Sequence, residues 1–319
     1  MNDAKVRTIT DRITLSDGAE VATTTLEPLP GARADNERRL GEVLICHGTP
    51  WSSRMWLPLA RKLAQHHRVR LWDMPGYGDS IPEITGTPPQ PIHDPLAEAA
   101  PAVDLITQRR RLAELIDYWE ISKPHVIAHD IGGAVALGTH LLEGCDFASM
   151  YLLDIVTLDL WGSPFFRLVA ENAEVFAALP PQLHRALVHE YIAGAGGHSL
   201  NDAQVCELSA PWITPSGQSA FYAQIAALLP EHTAPIVDRL GEVRCPVRIG
   251  WGEDDPWIPV EQSCRLARLL PEDPGLTCFP GAGHLVPIEA PDDLTTDIEL
   301  WINSLLPLEG GSTRSQTVR

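Results

Sequence analysis

The chain has 319 residues, of which 44% are hydrophobic and 21% charged, a balance that supports a folded body with a large core. Its formal net charge of -18 excludes the basic footprint that nucleic-acid phosphates need, and it disfavours an anionic membrane surface. The opening MNDAKVRTITDR lacks the apolar core of a signal peptide, and no stretch is long enough to span a bilayer, so a cytoplasmic protein is expected.

From the start of the chain, RTITDRITLSDGAEVATTTLEP alternates β-prone residues about Ser16-Asp17-Gly18 and predicts a hairpin. Short apolar runs follow at Val43–Cys46, Val69–Trp72, His125–Ala128, Met150–Leu153, Val247–Gly250 and Leu276–Phe279. Amphipathic stretches such as WLPLARKLAQHH, VDLITQRRRLAELIDYW and PVEQSCRLARLL lie between them. The alternation predicts an α/β fold: a mostly parallel sheet with helices on both faces. Two regions break it. Residues 81–101 are proline-rich and predict a surface excursion, and residues 160–240 have helical patterns but no buried strand. The latter reads as a helical cap inserted into a core made of residues 1–159 and 241–308, followed by a loose tail at 309–319. Six cysteines without a C-x-x-C pair, several inside apolar runs such as LTCFPG, read as reduced, buried thiols. A zinc site is not expected, nor any other cofactor.

Four segments carry chemistry. In HVIAHDIGGAVAL a strand runs into Ala128-His129-Asp130-Ile131-Gly132 and then a small-residue helix. Small residues two positions either side of Asp130 permit a tight strand-to-helix turn with the aspartate at its apex, in a strained backbone position and at the positive end of a helix. A simple N-cap aspartate would satisfy the same local pattern. LICHGTPW places an H-G-x-P turn after the first core strand, IGWGEDDPWIP places carboxylates after a strand and a glycine turn, and PGAGHLVPIE places His284 on a glycine loop that lets the imidazole reach over the sheet.

The chain order turn, nucleophile, acid, histidine resembles the α/β-hydrolase superfamily over about residues 5–306. With aspartate at the apex and DMPGYGDS at Asp73–Ser80, it is similar to the branch of epoxide hydrolases and haloalkane or haloacetate dehalogenases. That resemblance implies the α/β-hydrolase fold, with Asp130 as nucleophile and His284 as base. It implies Asp255 as the orienting acid, since it directly precedes proline, with Asp154 in YLLDIV as the rival. The backbone N–H groups of Thr49 and Ile131 become the oxyanion hole. In such a mechanism the carboxylate forms an alkyl ester and a water activated by His284 cleaves it.

The electrophile is read from the leaving-group side. Halide-cleaving relatives place tryptophan after the nucleophile and often asparagine in the H-G turn; here those positions are Ile131 and Thr49. Haloacetate enzymes add arginines that IGGAVAL lacks. Trp161 or Trp212 of the cap remain as halide contacts, and both, with Trp51 beside the turn, as substrate contacts. Epoxide opening needs a cap proton donor: Tyr222 in SAFYAQI is the first candidate, with Tyr191, His184 or His189 as its partner. The expected substrate is a small, mostly apolar organic molecule, given Phe165, Phe166, Phe176 and Trp212 in the cap. Epoxide hydrolysis is therefore expected first and dehalogenation second. An ester- or ketone-cleaving relative and a non-catalytic binding scaffold follow, and the oligomeric state is left open.

Overall fold

In a computed structural model, residues 6–29, 41–83, 102–159, 162–198 and 200–305 are described. Eight strands form one sheet: β1 Val6–Thr14, β2 Glu20–Pro28, β3 Glu42–Cys46, β4 Arg68–Trp72, β5 His125–His129, β6 Ser149–Leu153, β7 Val247–Gly252 and β8 Gly275–Phe279. Their order is β1-β2-β4-β3-β5-β6-β7-β8. β2 pairs antiparallel with both β1 and β4, and all other neighbours are parallel. The expected hairpin is present, with Gly18 at a φ of 83° in its turn.

Each predicted apolar run is a strand because the sheet is covered on both faces. β6 is buried at every position and β5 at four of five, which a continuous apolar sequence tolerates and an alternating one does not. The edge strand β8 departs from this rule. Leu276 is exposed and so is Cys278, against the expected buried thiol, because a strand with one neighbour is open on its far side. Cys206 and Cys264 are exposed as well, whereas Cys46 on β3 is buried.

The helices are α1 Leu57–Leu63, α2 Leu105–Tyr118, α3 Ile131–Leu141, α4 Pro164–Glu171, α5 Ala173–Ala177, α6 Pro181–Ala193, α7 Asp202–Ser209, α8 Pro215–Ala227, α9 Ala234–Val237, α10 Glu261–Ala267, α11 Val286–Glu289 and α12 Pro291–Ser304. Every residue of α3 is buried, which accounts for its small and apolar composition. Among the described residues of 160–240, all regular structure is helical. Local signals set those helix starts. Ser163 and Thr214 cap α4 and α8 just before a proline, and Asn201 forms a capping box with Gln204 on α7. Each such cap stabilises its helix by about 1 kcal/mol. The proline-rich segment (from residue 84 to 101), the tail and Trp161 lie outside the described residues. No helix among the described residues is long and apolar enough to cross a membrane.

The topology itself locates a site. β3 lies between β4 and β5, so the chain leaves β3 in opposite directions on its two sides. Loops following β3 and β5 therefore part above the sheet at the strands' C-terminal ends, where open α/β sheets bind ligands. The register brings Cys46 beside Ala128, His129 beside Leu153, and Leu153 beside Gly250. The residues that follow these positions share one edge.

Candidate active site

Asp130 follows β5 at φ 53°, ψ −129°, a conformation that costs a non-glycine residue about 1–3 kcal/mol and aims its side chain out of the turn. The turn leaves no slack around it. A Cβ on Gly48 would lie 2.3 Å from the Cβ of Asp130, so the H-G turn can approach the apex only as glycine. His47 locks that turn, its Nδ1–H donating to Gly48 O (2.8 Å) while its Nε2 accepts from Met74 N–H (2.9 Å). Accepting at Nε2 requires a neutral ring, and burial holds His47 below the ordinary histidine range. The DMPGYGDS motif is scaffolding of the same kind: Asp73 accepts from the N–H groups of Ser53 and Asp79.

The N–H of Ile131 donates to Asp130 Oδ1, and the N–H of Thr49 also bonds the carboxylate. Oδ2 lies 2.9 Å from His284 Nε2, and His284 Nδ1 lies 2.9 Å from Asp255 Oδ2. Asp255 is fully engaged, because its Oδ1 accepts from the N–H groups of Trp257 (2.7 Å) and Ile258 (2.9 Å). Burial disfavours the imidazolium of His284, but the charges and hydrogen bonds of Asp255 and Asp130 outweigh it and hold the ring well above the ordinary histidine value. Burial likewise pushes the Asp130 carboxyl up, against the opposing pull of His284 and the two N–H groups. The His284 ring is thus bracketed by two carboxyl groups, one on each nitrogen.

Asp154, the rival acid, directly follows β6 at φ 45° and is completely buried. Its Oδ1 accepts from Gly252 N–H (2.7 Å), and its Oδ2 has no partner. Burial, reinforced by the charge of Asp255, raises its carboxyl well above the usual value of 3.8. Both causes favour the neutral acid over the carboxylate. A group that takes up a proton on folding contributes its full stability below the ordinary value, and that contribution is lost as pH rises toward the folded value. Asp154→Asn mimics the protonated form without this dependence. It is expected to leave thermal stability unchanged near pH 4 and to equal or exceed wild type at pH 8. A melting temperature that falls at pH 8 but not at pH 4 would assign a working negative charge to Asp154.

A cavity of about 60 Å³ opens over Asp130, Ile131 and Thr49 and is walled by Ile155, Val156, Leu158, Phe166, Tyr191 and Trp257. Tyr191 stacks on Trp257 at 4.7 Å, and Trp257 lies 5.1 Å from the His284 ring. Burial, with the nearby charge of Asp130, raises the Tyr191 phenol and keeps it protonated.

Two cap residues singled out in the sequence are placed differently. Tyr222 hydrogen-bonds His184 Nδ1 (2.8 Å), and His184 Nε2 faces Trp212 O (2.9 Å). A carbonyl can only accept, so Nε2 carries the proton, Nδ1 accepts, and the phenol's proton is spent on His184. Trp212 donates its indole N–H to Pro50 O (2.7 Å), which removes it as a halide donor. Trp51 is buried 6.4 Å from the His284 ring and lines a neighbouring cavity of about 260 Å³, together with Trp212. Two other residues carried no local signal. His129 Nε2 donates to His284 O (2.8 Å), and Gln224 of α8 accepts from Thr49 Oγ1 (2.6 Å) and Tyr77 OH (2.9 Å). Among the described residues no cluster of His, Cys, Asp or Glu is placed to hold a metal ion.

A family model described as the alpha/beta hydrolase family matches residues 43–297. The chain belongs to the α/β-hydrolase family. Among solved structures, an α/β-hydrolase-fold protein from Burkholderia ambifaria is 35% identical, with a TM-score of 0.77 over 90% of this chain and 96% of that one. The haloalkane dehalogenase DatA from Agrobacterium tumefaciens, 15% identical, superposes with a TM-score of 0.72 over 96% of this chain and all of its own, a likeness of fold. A Caulobacter protein named for carbamate hydrolysis is 27% identical over 255 residues, 78% of this chain and 86% of the relative. As a member of this family the chain is a hydrolase.

Proposed function

We propose that this α/β-hydrolase opens an epoxide to a diol through a covalent ester on Asp130. The observation that carries this reading is the aspartate at the elbow apex, with Oδ2 against His284 and the protonated phenol of Tyr191 in the wall of the same cavity. Asp130 Oδ2 attacks an epoxide carbon, the C–O bond breaks, and the leaving oxygen takes the Tyr191 proton. Esterification removes the negative charge from Asp130. His284 then loses one of the two carboxylates that hold its proton, and that proton returns to Tyr191. Neutral His284, still oriented by Asp255, takes a proton from water. The hydroxide adds to Cγ while the N–H groups of Thr49 and Ile131 hold the oxyanion on Oδ1. The Cγ–Oδ2 bond breaks, the new alkoxide takes the hydroxyl proton from Cγ, and the ion pair is restored.

The apolar wall of the cavity supports a small apolar epoxide. Of the donors a halide would need, the indole N–H groups of Trp212 and Trp251 are spent on backbone carbonyls and Ile131 offers no side-chain donor, which leaves the unpartnered indole N–H of Trp51. A second reading, cleavage of an ester or carbamate at the same residues, is favoured by the name of the Caulobacter relative.

The reading is tested with styrene oxide, a haloalkane and an aryl ester, measuring diol, halide and acid. Diol formation is expected, and Tyr191→Phe should slow ester formation on Asp130 about 10²-fold while leaving ester hydrolysis in place. Tyr222→Phe, which removes only the bond to His184, should be much milder. Release of acid or halide with no diol would overturn the epoxide assignment.

Asp255→Asn and Asp154→Asn separate the two acids. Replacing Asp255 should slow ester hydrolysis roughly 10²–10⁴-fold, because His284 loses the partner that sets its tautomer and charge. Replacing Asp154 should change turnover by no more than about threefold, since a protonated carboxyl and an amide carry the same charge. The opposite ranking in single-turnover kinetics would move the acid to β6.

A further inference from the structure

The backbone of His284 is not held by the sheet alone. Its carbonyl accepts from His129, but its N–H donates to Ala195 O (3.0 Å), a residue of the cap segment just after α6. Glu289, half-buried at the end of α11, joins the same two segments a second time. Its Oε2 accepts from Gly283 N–H (2.9 Å) on the histidine loop, and its Oε1 accepts from His198 N–H (3.1 Å) on the cap. Between these bonds the two backbones touch. A Cβ on Gly283 would lie 1.9 Å from Gly197 N, and a Cβ on Gly197 would lie 2.6 Å from Gly283 N. Gly197 of the cap segment is thus fitted against Gly283 of the histidine loop, with no space for a side chain at either position.

The position of this contact gives it a use. Tyr191, which lines the cavity over Asp130, lies on α6 only four residues before Ala195. One short stretch of cap therefore carries the phenol of the cavity wall and the carbonyl that holds the base. We propose that Glu289 is a positioning residue that keys the cap to the histidine loop, so that seating the cap places His284 and Tyr191 together over Asp130. A carboxylate suits the role because each of its oxygens accepts from one segment, whereas glutamine has a single acceptor and would turn an N–H donor toward one of the two N–H groups. The proposal rests on the reading of His284 as the base.

The test is amide hydrogen exchange on the full chain, with Glu289→Gln and, separately, Gly197→Ala, which pushes the same contact apart from the cap side. Each variant should raise exchange about tenfold at both 194–198 and 283–285, the loss of one charge-assisted hydrogen bond, with α3 amides unchanged as a check on folding. With styrene oxide, each should also slow ester hydrolysis about tenfold while ester formation on Asp130 continues, so that the adduct builds up. Exchange that rises only at 283–285, with 194–198 still protected, would reduce Glu289 to a local brace of its own loop and overturn the proposal. So would joint loss of protection with no slowing of ester hydrolysis. If wild type and His284→Ala both form no adduct, the covalent reading fails instead. The exchange result still decides whether the cap and the histidine loop are keyed.

Discussion

Asp130→Ala is expected to lower kcat/KM by at least about 10³-fold while the protein keeps its fold. In the proposed mechanism the carboxylate is the group that bonds to substrate, and the neighbouring carboxylates are committed elsewhere. Asp255 is held by His284 and two backbone N–H groups, and Asp154 is bonded to Gly252. Folding is spared because the Asp130 side chain bonds only groups of the site itself, namely His284 and the N–H groups of Ile131 and Thr49. The variant also removes the charge that faces Nε2. The imidazole of His284 should then titrate lower than in wild type, in the direction that ester formation is proposed to drive it. Steady-state kinetics, circular dichroism and the ring resonances of His284 check the three parts. Residual activity above about a few per cent of wild type would show that another group is the nucleophile.

The second large effect belongs to His284→Ala. Loss of the proposed base should slow water attack on the ester by roughly 10²–10⁴-fold, whereas the proposed attack by Asp130 on the substrate needs no base. The substrate should therefore accumulate as an adduct on the peptide that contains Asp130, seen by mass spectrometry within one turnover. The adduct should not form in the double variant with Asp130→Ala. A serine-type mechanism predicts the reverse, since its histidine serves both half-reactions and no intermediate would build up.

How much of this was legible in the sequence differs from one part of the molecule to another. The strands were legible because a parallel sheet covered on both faces demands continuous apolar runs, and β5 and β6 meet that demand nearly without exception. Cys278 was misjudged for the same reason, since periodicity identifies a strand but not whether it lies at the edge. At the site, Asp130, His284, Asp255, Thr49 and Ile131 announce themselves through local turns whose backbone needs are written in glycines and a proline. They meet in space because their strands end at one edge. The cap is another matter. Tyr191 and Tyr222 both sit on cap helices, and a helical pattern does not tell which face meets Asp130 and which meets a neighbouring histidine. His129, Gln224 and Glu289 contribute through contacts spanning 155, 175 and 91 positions of sequence, for which no local pattern exists.

The central claim, that the product's new oxygen passes through Asp130, is tested most directly by a single turnover in oxygen-18 water with enzyme in excess. In the proposed mechanism the carboxylate attacks carbon with its own Oδ2, and water enters only at Cγ of the ester. The product of the first turnover should therefore be unlabelled at the new hydroxyl, and one heavy oxygen should appear in the peptide that contains Asp130. A first-turnover product carrying solvent oxygen, with Asp130 unlabelled, would contradict the account and leave Asp130 as a group that activates water.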